Sequence, residues 1–68
     1  MPYVNIKVTG GAEAPTAEQK AELIRGATEL LTRVLNKNPA TTFVIIDEVA
    51  MDNWGVGGES TTARRKKK

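Results

Sequence analysis

The sequence predicts an α+β fold: a β-α-β unit with parallel strands, closed by a short carboxy-terminal hairpin and completed only by assembly with further chains. Three observations carry this. Apolar residues alternate with polar ones in Val4, Ile6 and Val8. A helical stripe follows in Leu23, Ile24, Ala27, Leu30, Leu31, Val34 and Leu35. A β-branched run then spans Thr41, Thr42, Val44, Ile45 and Ile46. Strand, helix and strand in that order imply a right-handed crossover between parallel strands.

The first strand is expected over Pro2 to Thr9, with one apolar face, and Gly10-Gly11 ends it. Thr16 is placed to cap the helix, because Gln19 stands three residues on and completes a capping box. Glu18 suits the positive end of the helix dipole. The helix should run from Ala17 to Leu35, with Asn36, Asn38 and Pro39 stopping it. The second strand, Thr41 to Val49, is apolar on both faces over its middle. A single helix covers one face of such a sheet, so the other must be covered by another chain. From Met51 to Glu59, Trp54 stands among Gly55, Gly57 and Gly58, a pattern for a turn or tight hairpin. Residues 1–60 are therefore expected to form one domain. Residues 61–68 lack apolar periodicity and are expected to be a basic, mobile tail.

The totals narrow the chemistry. A chain of 68 residues without cysteine or histidine has no disulfide framework, no thiolate, and neither the usual general base nor the commonest metal ligand. Chains this small normally need a disulfide, a metal or oligomerisation, and oligomerisation is the remedy left. No apolar run approaches the ~20 residues needed to span a bilayer, and no signal peptide is evident, so a cytoplasmic location is expected. The net charge of +2 is a property of the tail. Five of the ten cations are Arg64 to Lys68, and the remaining body has five cations against eight anions, a charge of −3.

Pro2 is the sharpest chemical feature. Removal of Met1 would leave a secondary amine on a rigid ring, and burial or a nearby cation lowers an amine's pKa towards the range useful for general-base work. Pro2 can equally be a residue that merely opens a strand, where its missing N–H costs nothing. The order Met-Pro-strand, Glu18-Gln19-Lys20, Leu23-Ile24-Arg25, Ile45-Ile46-Asp47-Glu48 and Trp54-Gly55-Val56-Gly57-Gly58-Glu59 resembles the 4-oxalocrotonate tautomerase family over nearly the whole chain, excluding the basic tail and extra residues between Gly10 and Pro15. The resemblance implies a β-α-β subunit, a homohexamer, no metal and no organic cofactor. It also implies an isomerase that moves a proton between carbon and oxygen of a small enol or unsaturated oxo compound, with Pro2 as general base or acid. Hydration or conjugate addition through the same amine is the alternative chemistry. A catalytically silent assembly domain with an anion-binding tail is the alternative class.

Two departures from the family bear on substrate. Members acting on dicarboxylate oxo acids carry an arginine in the loop after the first strand, where this chain has Gly10 to Pro15 without a cation. They carry a second near the start of the second strand, where alignment places Phe43. Arginine holds a carboxylate with two parallel hydrogen bonds, and phenylalanine cannot. Trp54 stands where the family usually has phenylalanine. It is readable either as an assembly anchor or as the apolar wall of the proline pocket, and Phe43 likewise as packing or as wall. The five terminal cations can be a solvated tail, or a nucleic-acid contact working by counterion release. The first is favoured because aromatic interleaving is absent and the body is acidic. A third reading folds Arg64 or Arg65 back to supply a substrate cation.

Overall fold

A computed structural model describes residues 1–66. Strand β1 (Tyr3–Thr9) pairs in parallel with β2 (Phe43–Val49), from Tyr3 opposite Phe43 to Thr9 opposite Val49. Between them runs helix α1 (Ala17–Leu35). The predicted capping box is present on both sides: Gln19 N–H donates to Thr16 Oγ1 at 3.1 Å and Thr16 N–H donates to Gln19 Oε1 at 2.9 Å. Asn36, at φ 56°, closes the helix in the left-handed region that asparagine tolerates. Replacing Thr16 by alanine should lower stability by about 1 kcal/mol, the usual cost of losing such a cap, read as a fall in the urea midpoint with the slope unchanged.

The register places Val4 opposite Val44 and Ile6 opposite Ile46 on one sheet face. That face meets α1, where Ile6 shares a groove with Leu23, Ala27 and Leu30, and an ion pair from Lys20 to Glu48 ties α1 to β2. Among the described residues no helix covers the opposite face. It presents Tyr3, Phe43 and Ile45, the last two 51% and 43% exposed. Beside them Asp47 Oδ2 accepts from Lys7 Nζ at 2.8 Å and from Asn5 Nδ2 at 2.9 Å. Lys7 and then Asn5 hold the Asp47 carboxyl below its ordinary pKa, and Asp47 raises that of Lys7.

The second strand begins at Phe43 rather than at Thr41. Asn38 accounts for the difference, because its side chain accepts from Ala40 N–H and caps a one-turn 3-10 segment, Pro39–Thr41. The carboxy-terminal hairpin is β3 (Gly55–Val56) paired with β4 (Glu59–Ser60). Gly57 and Gly58 form its two-residue turn at φ 61° and 86°, the paired positive angles of the hairpin turn that matches strand twist.

The segment from Thr61, without apolar periodicity in its sequence, is helical over Thr61–Lys66, a short helix α2. Ser60 Oγ accepts from Ala63 N–H at 3.1 Å, and Thr61 is buried with both N–H and Oγ1 donating to Trp54 O, at 2.7 and 2.9 Å. Arg64, Arg65 and Lys66 lie in its last turn, where cations suit the helix dipole. Lys67 and Lys68, the end of the predicted tail, lie outside the described residues.

Among the described residues no hydrophobic side chain is buried, whereas Leu23, Ile24, Leu30, Val34 and Leu35 of α1 are all exposed. The described residues of one chain form the secondary structure but no closed core. Among the same residues no helix is long and apolar enough to cross a membrane.

Candidate active site

Parallel pairing divides the sheet into two ends of different chemistry. At the amino-terminal end, Pro2 is half-buried and its carbonyl accepts from Phe43 N–H at 3.0 Å, so the two residues are neighbours across the strand pair. Met1 precedes Pro2 and is 85% exposed. At the carboxy-terminal end, Trp54 follows a 3-10 turn, Met51–Asn53, in which its N–H donates to Met51 O. It lines an open cavity of about 480 Å³ with Val8, Thr9, Val56, Thr61, Arg64 and Arg65.

The structure thus brings Phe43 to Pro2 but separates both from Trp54. Seven residues of β1 lie between the two ends, which at ~3.3 Å per residue is roughly 20 Å. Within one chain these three residues do not form a single pocket. Among the described residues the Trp54 cavity has no acid-base group for neutral pH in its lining. It is lined by apolar side chains, two threonine hydroxyls and two guanidinium groups, with no carboxylate among them.

Arg64 and Arg65 were missed as ordered residues because their own stretch has no hydrophobic period. The available signal was Ser60, a good helix cap standing just before a segment with cations in its last turn. Arg65 donates from Nη1 to Glu13 Oε2 at 2.8 Å and from Nη2 to Glu13 Oε1 at 3.0 Å, a two-pronged pair that ties α2 to the loop after β1. Thr9 Oγ1 also donates to Glu13. Arg65 first, and then Thr9, keeps the Glu13 carboxyl below its ordinary pKa. The loop after β1 therefore holds a carboxylate that brings a cation from α2. Because Glu13 titrates below its unfolded value, the pair is intact above the ordinary carboxylate range and is lost as pH falls through the lowered value. Among the described residues no group of three or more histidine, cysteine or carboxylate side chains is placed to hold a metal.

A parallel strand pair with a crossover helix and a terminal glycine hairpin, bearing proline at one sheet end and an aromatic pocket at the other, defines a small β-α-β protein of the tautomerase fold. The chain belongs to the tautomerase family, whose model, described as "Tautomerase enzyme", matches residues 2–64. It is 62% identical to "Probable tautomerase K2" of Dickeya dadantii over 97% of this chain and 96% of that one. Its fold matches the crystal structure of DmpI from Helicobacter pylori with a TM-score of 0.87 and 49% identity, covering 98% of this chain and 100% of that one. It also matches a heterohexamer 4-oxalocrotonate tautomerase from Chloroflexus aurantiacus with a TM-score of 0.79 and 32% identity, covering 91% and 95% of the two chains.

Proposed function

We propose that this protein is a tautomerase in which Pro2, freed by removal of Met1, is the general base and acid, and that each working site joins Pro2 and Phe43 of one chain to the Trp54 pocket of another. The observation that carries the reading is the division of the sheet. The Trp54 cavity has no carboxylate in its lining, and the candidate base lies roughly 20 Å away at the other end of β1. Two chains arranged end to end satisfy both needs. The unburied apolar face of the sheet and the exposed stripe of α1 supply the surface for that assembly. A hexamer of identical chains is the form proposed; the relative from Chloroflexus aurantiacus shares the number of six chains but is a heterohexamer.

In this site the neutral Pro2 nitrogen takes the proton from the enol hydroxyl. The O–H electron pair forms the carbonyl, and the carbon–carbon π pair accepts a proton on carbon. The prolinium returns the proton it took, so the sum is an isomerisation with no redox change. Trp54, Val8 and Val56 exclude water, which disfavours the charged amine and keeps its pKa near the working range. Phe43 stands beside Pro2 as a second apolar wall.

Substrate charge follows from the same residues. With Phe43 beside Pro2, the amino-terminal end has no guanidinium for a second carboxylate. Neutral or singly charged enols, including aryl enols able to stack on Trp54, should turn over faster than dicarboxylate enols. Phe43→Arg should raise kcat/KM for a dicarboxylate enol by about tenfold, the scale of a charge-assisted hydrogen-bond pair. The direct test is a spectrophotometric assay of protein beginning at Pro2 with an aryl enol and a dicarboxylate enol. Acceleration of neither would refute the assignment, and preference for the dicarboxylate would refute the charge argument.

A further inference from the structure

Two guanidinium groups line the Trp54 cavity, and they are not equivalent. Both donor edges of Arg65 used in its pair are directed at Glu13, at 2.8 and 3.0 Å, so its charge is balanced by a carboxylate of the same chain. Arg64 has no ion pair or hydrogen bond among the described residues. Its Nη1 lies over the hairpin turn, where a Cβ on Gly57 would meet it at 3.3 Å. The turn therefore limits movement on that side, while the apolar lining of Trp54, Val8 and Val56 lies in the same cavity. A guanidinium without a counter-ion beside an aromatic wall is suited to an anion carried on an apolar or aryl body.

We infer that Arg64 is the substrate-anion residue of this pocket, so that the preferred ligands are planar monocarboxylates whose charged group meets Arg64 while the apolar part packs on Trp54. This rests on the proposed tautomerase site and assigns its substrate class: an aryl or alkenyl enol bearing one carboxylate. One balanced and one unbalanced guanidinium give the cavity capacity for a single negative charge. The cation comes from α2, neither from the loop after β1 nor from the start of β2, where the resemblance led arginines to be sought. A glycine turn under Arg64 fits the same role, since any side chain at Gly57 would press on the guanidinium as well as strain a backbone at φ 61°.

Binding can be measured without turnover, which separates this inference from the role of Pro2. Trp54 is the chain's only tryptophan, so its fluorescence reports occupancy. The probes are trans-cinnamate and its neutral counterpart trans-cinnamamide, titrated into the assembled protein, with the mass of every variant checked by light scattering. The wild type is expected to bind the carboxylate about tenfold more tightly than the amide, within the range for charge-assisted hydrogen bonds. Arg64→Gln should erase that preference while leaving the amide affinity within about twofold, and Arg64→Lys, which keeps a point charge, should retain part of it. Equal binding of both probes by the wild type, binding of neither, a preference that survives Arg64→Gln, or equal weakening of both probes by Arg64→Gln would each overturn the assignment. An intact preference in protein whose Pro2-initiated form catalyses no proton transfer would instead remove the tautomerase reading and leave Arg64 as an anion site.

Discussion

Protein that retains Met1 is expected to lose at least ~10²- to 10⁴-fold in kcat/KM relative to protein beginning at Pro2, the contribution general acid-base catalysis typically makes. The reason is electronic. In the Met1–Pro2 peptide bond the nitrogen lone pair is delocalised into the carbonyl, so it cannot accept a proton near neutrality. The chain has no histidine or cysteine to replace it. Among the described residues no carboxylate lines the Trp54 cavity, and Glu13 next to it is held in its pair with Arg65. The comparison requires mass spectrometry on both samples, since partial trimming would mask the loss. Pro2→Ala is a milder change, because a primary amine remains, and should leave partial activity. Equal rates from the two termini would reduce Pro2 to the residue that opens β1.

Disrupting assembly should be as damaging as blocking Pro2, because the proposed site is incomplete in one chain. Ile45 lies on the sheet face without a helix and is 43% exposed in the isolated chain. If assembly covers that face, Ile45→Glu places a carboxylate without a partner in every subunit. Burying an uncompensated charge costs several kcal/mol, enough to shift a small-domain assembly to monomers at micromolar concentration. The expected result is a fall to the single-chain mass in light scattering, together with loss of proton-transfer activity. A monomeric wild type, or a monomeric Ile45→Glu protein that remains fully active, would contradict the shared site.

Much of the fold was legible because local signals and the tertiary pattern agree. The Thr16/Gln19 capping box, the stripe from Leu23 to Leu35 and the alternation of Val4, Ile6 and Val8 each specify an element by its own period. The hairpin was legible in its glycines, because paired positive φ angles select them. Two features were not. Asn38 caps a short turn that delays β2 to Phe43, and the β-branched residues before Phe43 gave no sign of it. Helix α2 depends on the fixation of Thr61 by Trp54 O and the tie between Arg65 and Glu13, contacts between residues distant in sequence that no periodicity records. Among the candidate site residues, Pro2 and Phe43 do meet across β1 and β2. Their distance from Trp54 could be read only once parallel pairing had fixed which ends of the strands lie together.

The most direct measurement is a ¹⁵N NMR titration of the Pro2 nitrogen in assembled protein beginning at Pro2, set beside the pH dependence of kcat/KM for an aryl enol. A protonated amine cannot accept the enol proton, so the rate must rise with pH as the amine loses its proton. The account predicts a midpoint below the ordinary α-amino range of about 7.7 to 8.0, lowered by burial against apolar walls and coincident with the rising limb of kcat/KM. A Pro2 nitrogen that titrates at the ordinary value, with a rate that does not follow it, would contradict the claim that this amine is the catalytic base.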